Sequence, residues 1–350
     1  MNDEQSGELL GILRQAVGPY NKYVRGLRWQ AWLKTSFAIL FLVEAGFLLW
    51  PIGRGMRPTN EAQSQVVGMP SSNMDVAYLQ KSSTTADMIA LVEISGVISE
   101  AGRTNMVEDV KLMLQTARED SRVKAIILKV ESPGGGVNAS NLIWNEVMKF
   151  KKSGKPMVAF FNGIAASGGY YVSVPADKII ATPETWTGSI GVIMQMPNYS
   201  GLLKKIGVKY TTIKSGARKD MLSPYKPADK EDANIAQSLV DGAFDRFVQK
   251  VADGRNMDEV KVRILADGRI YDSEQALNNG LIDQIGYIED SFETAKDLAK
   301  IKTASLVQYK KKTDVFGDFF AAFSSKPLID IGQRISTLPP GLYYLWTADR

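Results

Sequence analysis

Residues 123–161 read VKAIILKVESPGGGVNASNLIWNEVMKFKKSGKPMVAFF, and this stretch decides the fold. Its first eight residues form an apolar, β-branched run of the kind a buried strand carries. Ser132-Pro133-Gly134-Gly135-Gly136 then turns the chain. Residues 138–151 have helical spacing, and PMVAFF at 156–161 is the next strand. Strand, helix and strand in that order predict a crossover joining two parallel strands. The same alternation continues outward. IALVEISGVI at 89–98 precedes a helical pattern at 104–119 that carries Val107, Val110, Met113 and Leu114. On the far side, a Gly- and Ala-rich turn enters a helix near 167–175. KIIAT at 178–182 and SIGVIMQ at 189–195 read as shorter strands, and 228–254 as a long helix. The expectation is an α/β fold with a mainly parallel sheet and flanking helices.

The flanks differ in character. Residues 35–52, TSFAILFLVEAGFLLWPI, form an apolar run close to the minimum for a membrane-spanning helix. Arg14, Lys22, Arg25, Arg28 and Lys34 precede it, and Arg54 and Arg57 follow. This asymmetry predicts a cytoplasmic N-terminus and an extracytoplasmic remainder. Trp29, Trp32 and Trp50 fit interfacial anchors. Glu44 opposes the reading unless it is protonated or paired with a neighbouring helix; a buried helix of a soluble protein is the alternative. Residues 54–86 are rich in Ser and Pro and read as a linker. The expected organisation is a cytoplasmic segment at 1–34, a transmembrane helix at 35–53, a linker at 54–86, a catalytic domain at 87–300 and an extension at 301–350.

Two absences restrict the chemistry. The chain has no Cys and no His. This excludes a thiol nucleophile, a Ser-His-Asp triad and HExxH or Cys-ligated zinc sites. Acid–base work falls to Lys, Asp, Glu, Tyr or a terminus. The net charge of +4 is too small to indicate nucleic-acid binding.

Two glycine turns remain as candidates. The amides of Gly134, Gly135 and Gly136 are unobstructed and suit a developing oxyanion, although a plain tight turn uses the same residues. Gly163-Ile164-Ala165-Ala166-Ser167-Gly168-Gly169-Tyr170-Tyr171 follows a strand and opens a helix. It places Ser167 among small residues, where a peptide could reach its hydroxyl. The plain alternative is an N-cap serine with glycines for close packing. Ala165 stands where the GxSxG elbow needs glycine. A serine needs a base, and without histidine lysine leads. Spacing does not choose among Lys204, Lys205, Lys209, Lys214 and Lys219.

ESPGGGV (131–137), GIAASGGYYVSVPADKIIATPETWTGSIGVI (163–193), KSGARKDMLSP (214–224) and ADGRIYDSEQALNNGLIDQIG (266–286) together resemble the signal peptide peptidase A family. These are membrane-anchored Ser/Lys proteases related in fold to ClpP and crotonases. The likeness covers roughly residues 87–300 and is that of the short, single-core form. It implies Ser167 as nucleophile, Lys219 as general base and Ser189 as the group orienting the lysine amine. It also implies an oxyanion hole from Gly134 or Gly135 with Gly168. Arg218 departs from the aromatic residue frequent before the lysine. The implied activity is cleavage of released signal peptides at a bacterial-type plasma membrane. The implied assembly is a homo-oligomeric ring or dome, tetramer to octamer, in which serine and lysine can come from adjacent copies. No cofactor, metal or nucleic acid is implied. A catalytically silent scaffold and an acyl-CoA enzyme of the crotonase type are the alternatives.

Overall fold

The computed structural model describes residues 74–100, 105–311 and 342–345. The chain divides after Val67 into two units, and all described residues belong to the second. The segments read as a cytoplasmic tail (1–34) and a transmembrane helix (35–53) lie outside the described residues. Among the described residues no helix is long and apolar enough to cross a membrane.

The elements run β1 (Met74–Gln80), β2 (Met88–Ser95), α1 (Met106–Glu119), β3 (Val123–Ser132), β4 (Gly134–Gly136), α2 (Val137–Lys151) and β5 (Met157–Ala166). Next come α3 (Gly168–Ser173), β6 (Lys178–Ala181), β7 (Trp186–Gly188), α4 (Ser200–Lys205), α5 (Lys230–Arg255), α6 (Glu259–Leu265) and β8 (Ile270–Tyr271). The chain continues through α7 (Ser273–Asn278), β9 (Gln284–Ile285), α8 (Ile288–Ala299), β10 (Ser305–Lys311) and β11 (Tyr343–Leu345). The main sheet has the order β1-β10-β2-β3-β5-β6-β9, all parallel except the β1–β10 pair. β7 extends it beside β5, and β8 pairs antiparallel with β7.

At the sheet's centre Leu128 lies between Val92 and Ala159. Alternate residues separate the two faces. Ala90, Val92, Ile126, Leu128, Ala159 and Phe161 join the large core that α1, α2, α3 and α5 cover. Ile89, Leu91, Ala125, Ile127, Val158 and Phe160 pack on Phe292 and Ala295 of α8. Burial on both faces explains why these strands read as unbroken apolar runs instead of alternating ones.

Three boundaries differ from the sequence reading. β1 lies within the stretch read as linker. It is an edge strand with little burial beyond Met74, so it carries no period-two signal. β10 lies within the stretch read as an extension, yet it sits between β1 and β2 in the sheet. The strand expected at 189–195 is instead Trp186–Gly188, because Ser189 adopts φ 47° and turns the chain. Only a bridge at Ile193 remains beyond it.

Candidate active site

The C-terminal ends of β2, β3 and β5 converge, the place where parallel α/β sheets hold their ligands. Ser167 follows β5 directly and precedes α3, with φ 54° and ψ −113° and only 1% of its surface exposed. A non-glycine residue at such angles is strained, and the surroundings must hold it there. Its N–H donates to the Gly188 carbonyl at 2.8 Å, and its own carbonyl accepts from the Tyr171 N–H at 2.8 Å. The site therefore presents a serine at the apex of a strand–turn–helix, although the GxSxG pattern is absent.

Gly168 brings the second turn against it. A Cβ at Gly168 would lie 2.6 Å from Ser140 Oγ and 3.1 Å from both Gly134 Cα and Gly135 N. The structure distinguishes the two glycines that the sequence left open. The Gly134 N–H donates to Ser132 Oγ at 3.1 Å and is already engaged. Ile98 bonds β4 on one side, donating to the Gly134 carbonyl and accepting from the Gly136 N–H. The Gly135 amide consequently faces the other side. Gly135 lies against Gly168, the residue that follows Ser167.

That other side holds β11. It pairs antiparallel with β4, Tyr344 opposite Gly135, and Val137 N–H donates to the Leu342 carbonyl at 3.1 Å. The ladder alternation then directs the Gly135 N–H to the Tyr344 carbonyl. Tyr343 exchanges both backbone bonds with Ile193 at 3.1 Å, so β11 is gripped from both edges. The Tyr344 ring is 1% exposed and lies 4.8 Å from the rings of both Tyr171 and Phe247. Its hydroxyl donates to the Ala243 carbonyl at 3.0 Å, and burial pushes its pKa up to about 12. Ser189, one residue beyond the Gly188 that bonds Ser167, lines an adjoining cavity of about 520 Å³ with Val192, Ile193, Phe244, Ala266 and Leu345.

The structure thus brings together Ser167, Ser189, Gly134, Gly135 and Gly168. It does not bring Lys219 to them within one chain. Lys219 is exposed on the connection between α4 and α5. Among the described residues no hydrogen bond engages its amine or the Ser167 hydroxyl. α5 contacts the two regions at different points along its length. Its Phe247 lies 5.1 Å from the Tyr171 ring of α3, whereas its Asp232 binds Arg218 beside the lysine. The helix between Asp232 and Phe247 is about 22 Å long at 1.5 Å per residue. Arg218 directs its guanidinium to Asp229, Glu231 and Asp232.

Comparison with known proteins follows this geometry. Residues 149–302 match peptidase family S49, and residues 82–187 match the Clp protease family. A protein of Enterococcus faecium, provisionally named signal peptide peptidase SppA, is 47% identical over 276 residues, which cover 73% of this chain and 80% of that protein. The chain belongs to peptidase family S49. The S49 chain is also 35% identical over 240 residues to Protease 4 of Salmonella typhi, covering 68% of this chain and 39% of that longer protein. The chloroplastic serine protease SPPA of Arabidopsis thaliana is 32% identical over 250 residues, covering 68% of this chain and 37% of that protein. This S49 member is a serine protease with a ClpP-like α/β fold.

Sequence reasoning missed the part that β11 plays in this S49 site. β11 leaves no local signal in the sequence, because its partners at 134–136 are some two hundred residues away. An extended segment in that position has the geometry of a peptide added to a strand edge. Tyr344→Ala should loosen it. The buried ring is worth about 3–5 kcal/mol, so the thermal midpoint is expected to fall. If β11 competes with substrate, kcat/KM on a short peptide is expected to rise about tenfold as the open groove becomes populated. Calorimetry and steady-state assays of the same preparation check both.

Proposed function

We propose that this S49 protease is a membrane-anchored endopeptidase that degrades released signal peptides and other small membrane-associated peptides through a Ser/Lys dyad. Ser167 is the nucleophile and Lys219, supplied by an adjacent copy in a homo-oligomer, is the base. Ser189 orients the lysine amine, and the Gly135 and Gly168 amides form the oxyanion hole. The observation that carries this reading is the strained, buried Ser167 at the turn where Gly168 lies against Gly134 and Gly135, with Gly135 paired to an extended strand.

The chemistry follows from those positions. A neutral Lys219 amine takes the Ser167 hydroxyl proton as the oxygen attacks the scissile carbonyl. The carbonyl oxygen gains charge against Gly135 and Gly168, each donor typically being worth about 3–4 kcal/mol. The ammonium returns its proton to the leaving amine, and the acyl-enzyme is hydrolysed by a water that the same lysine deprotonates. Assembly is supported by the arm that carries Lys219. Ile206 is 61% exposed and Ile213 97% exposed; apolar side chains so open to water suit a contact with a second copy. The hydrophobic run at 35–53 is the proposed anchor, placing the catalytic domain on the extracytoplasmic side of a bacterial-type plasma membrane. The Enterococcus relative's name supports the substrate class.

The test combines cleavage of a synthetic signal peptide with fluorophosphonate labelling and mass mapping of the adduct. A single adduct on Ser167 with concurrent loss of cleavage is expected. An assembled protein that cleaves the peptide while Ser167 stays unlabelled would refute the assignment.

A further inference from the structure

The loop around Lys219 carries four cations between residues 214 and 226, and three are tied down. Lys214 Nζ donates to Asp220 Oδ1 at 2.6 Å and to the Ala217 carbonyl at 2.8 Å. Arg218 Nη1 donates to Asp232 Oδ1 at 2.9 Å and to Asp229 Oδ1 at 3.3 Å. Lys226 Nζ donates to Asp232 Oδ2 at 2.5 Å and reaches Asp220 Oδ1 at 3.4 Å. Asp232 is the centre of this network. It lies in the first turn of α5, its side chain is 2% exposed, and each oxygen holds a different cation. Asp229, the N-cap, receives the Asp232 N–H at 3.0 Å and fixes the turn. The bonds from Lys226, and then from Arg218, hold the Asp232 carboxyl below the ordinary carboxylate range.

Two consequences meet at Lys219. Its neighbours on both sides are immobilised, Arg218 on Asp232 and Asp220 on Lys214 and Lys226. Asp220, the carboxylate nearest in the chain, is also occupied. Among the described residues no carboxylate engages the Lys219 amine. A lysine that must accept a proton cannot be held as an ammonium by a paired carboxylate, because an opposite charge favours the charged form.

We propose that Asp232 is a positioning residue for the Lys219 base. It holds Arg218, on one flank of the lysine, directly to the first turn of α5 and links to Asp220, on the other flank, through Lys226, so that Lys219 is presented fixed in direction and unpaired. The proposal rests on the Ser/Lys reading and extends it to a residue that touches neither substrate nor serine.

Asp232→Asn keeps the size of the side chain and removes its charge. In the full-length assembled protein, kcat on a signal peptide is expected to fall on the order of 100-fold, as for a catalytic group displaced by about 1 Å. KM should stay within about twofold, because uniform binding is untouched. The rate of Ser167 labelling by a fluorophosphonate should fall with kcat. In a Lys219→Ala background the same substitution should leave the residual labelling rate unchanged, because the residue acts only through the lysine. A kcat within twofold of the parent overturns the proposal, as does an equal loss in the Lys219→Ala background, which is the behaviour of a merely structural pair. If Asp232→Asn fails to assemble, Arg218→Gln opens the same clamp from its exposed end. Loss confined to the Lys219-containing protein then supports the proposal, and no loss overturns it. Full activity of Lys219→Ala alone would instead remove the Ser/Lys reading, an outcome distinguishable from failure of the clamp.

Discussion

Ser167→Ala and Lys219→Ala are each expected to lower peptidase activity by about 10⁶-fold, as loss of either member of a catalytic pair does, and a mixture of the two inactive proteins should recover part of it. The recovery follows from geometry. One chain holds Ser167 at the start of α3 and Lys219 on an exposed loop, and the α5 residues that contact these two regions are about 22 Å apart. If the working pair forms between copies, a mixed oligomer contains sites in which the Lys219→Ala subunit supplies the serine and the Ser167→Ala subunit supplies the lysine. Random assembly at equal amounts gives active sites at about a quarter of positions in a ring of head-to-tail contacts. The measurement is cleavage rate after co-assembly, with each variant's thermal midpoint as a folding control. Mixtures as inactive as their components, from subunits shown to exchange, would mean that the pair forms within one chain or not at all.

The legible parts of this molecule and the hidden ones differ in how local their causes are. β3, α2 and β5 were readable because each is a long run whose pattern is fixed by its own burial. β1 was not, because an edge strand with one buried residue leaves almost no pattern. At the site, the small residues around Ser167 were visible, but its positive φ was not; that strain is imposed by Gly188 and Tyr171 through backbone bonds. Choosing Gly135 over Gly134 depends on the Ser132 hydroxyl, a detail beyond any spacing rule. The identity of the base shows the same division. Spacing left five lysines equal, and resemblance selected Lys219. A physical reason for preferring it to Lys214 lies in Asp220, which engages the latter and not the former. The alternative of a silent scaffold loses ground to the family membership, since the relatives are themselves named as proteases.

Gly134→Ala is expected to lower kcat by about 10²–10³, for reasons that separate into two measurable parts. The residue has φ +103°, where an L side chain is strained whatever space surrounds it. It also lacks space. A Cβ there would meet the Tyr344 carbonyl oxygen at 2.0 Å and the Gly168 nitrogen at 2.7 Å. Both are backbone atoms that no rotamer change can move aside. Relief requires β4 to shift, yet β4 is fixed by Ile98 through two backbone bonds and by the Ser132 hydroxyl, which accepts the Gly134 N–H. The displacement therefore falls on the contact between Gly135 and Gly168, which is the proposed oxyanion hole. Misplacing one such donor costs about 10²–10³ in kcat. Any peptide strand replacing β11 would bring its own carbonyl to the same point, so KM should rise as well. Gly154→Ala is the control. Gly154 also has a positive φ, +78°, but nothing lies within 4 Å of its added Cβ. It should show the strain alone, about 1–3 kcal/mol of stability, with kcat unchanged. Equal kinetic effects from the two substitutions, or a Gly134→Ala enzyme within threefold of the parent, would mean that the close approach of these two turns is not what organises catalysis.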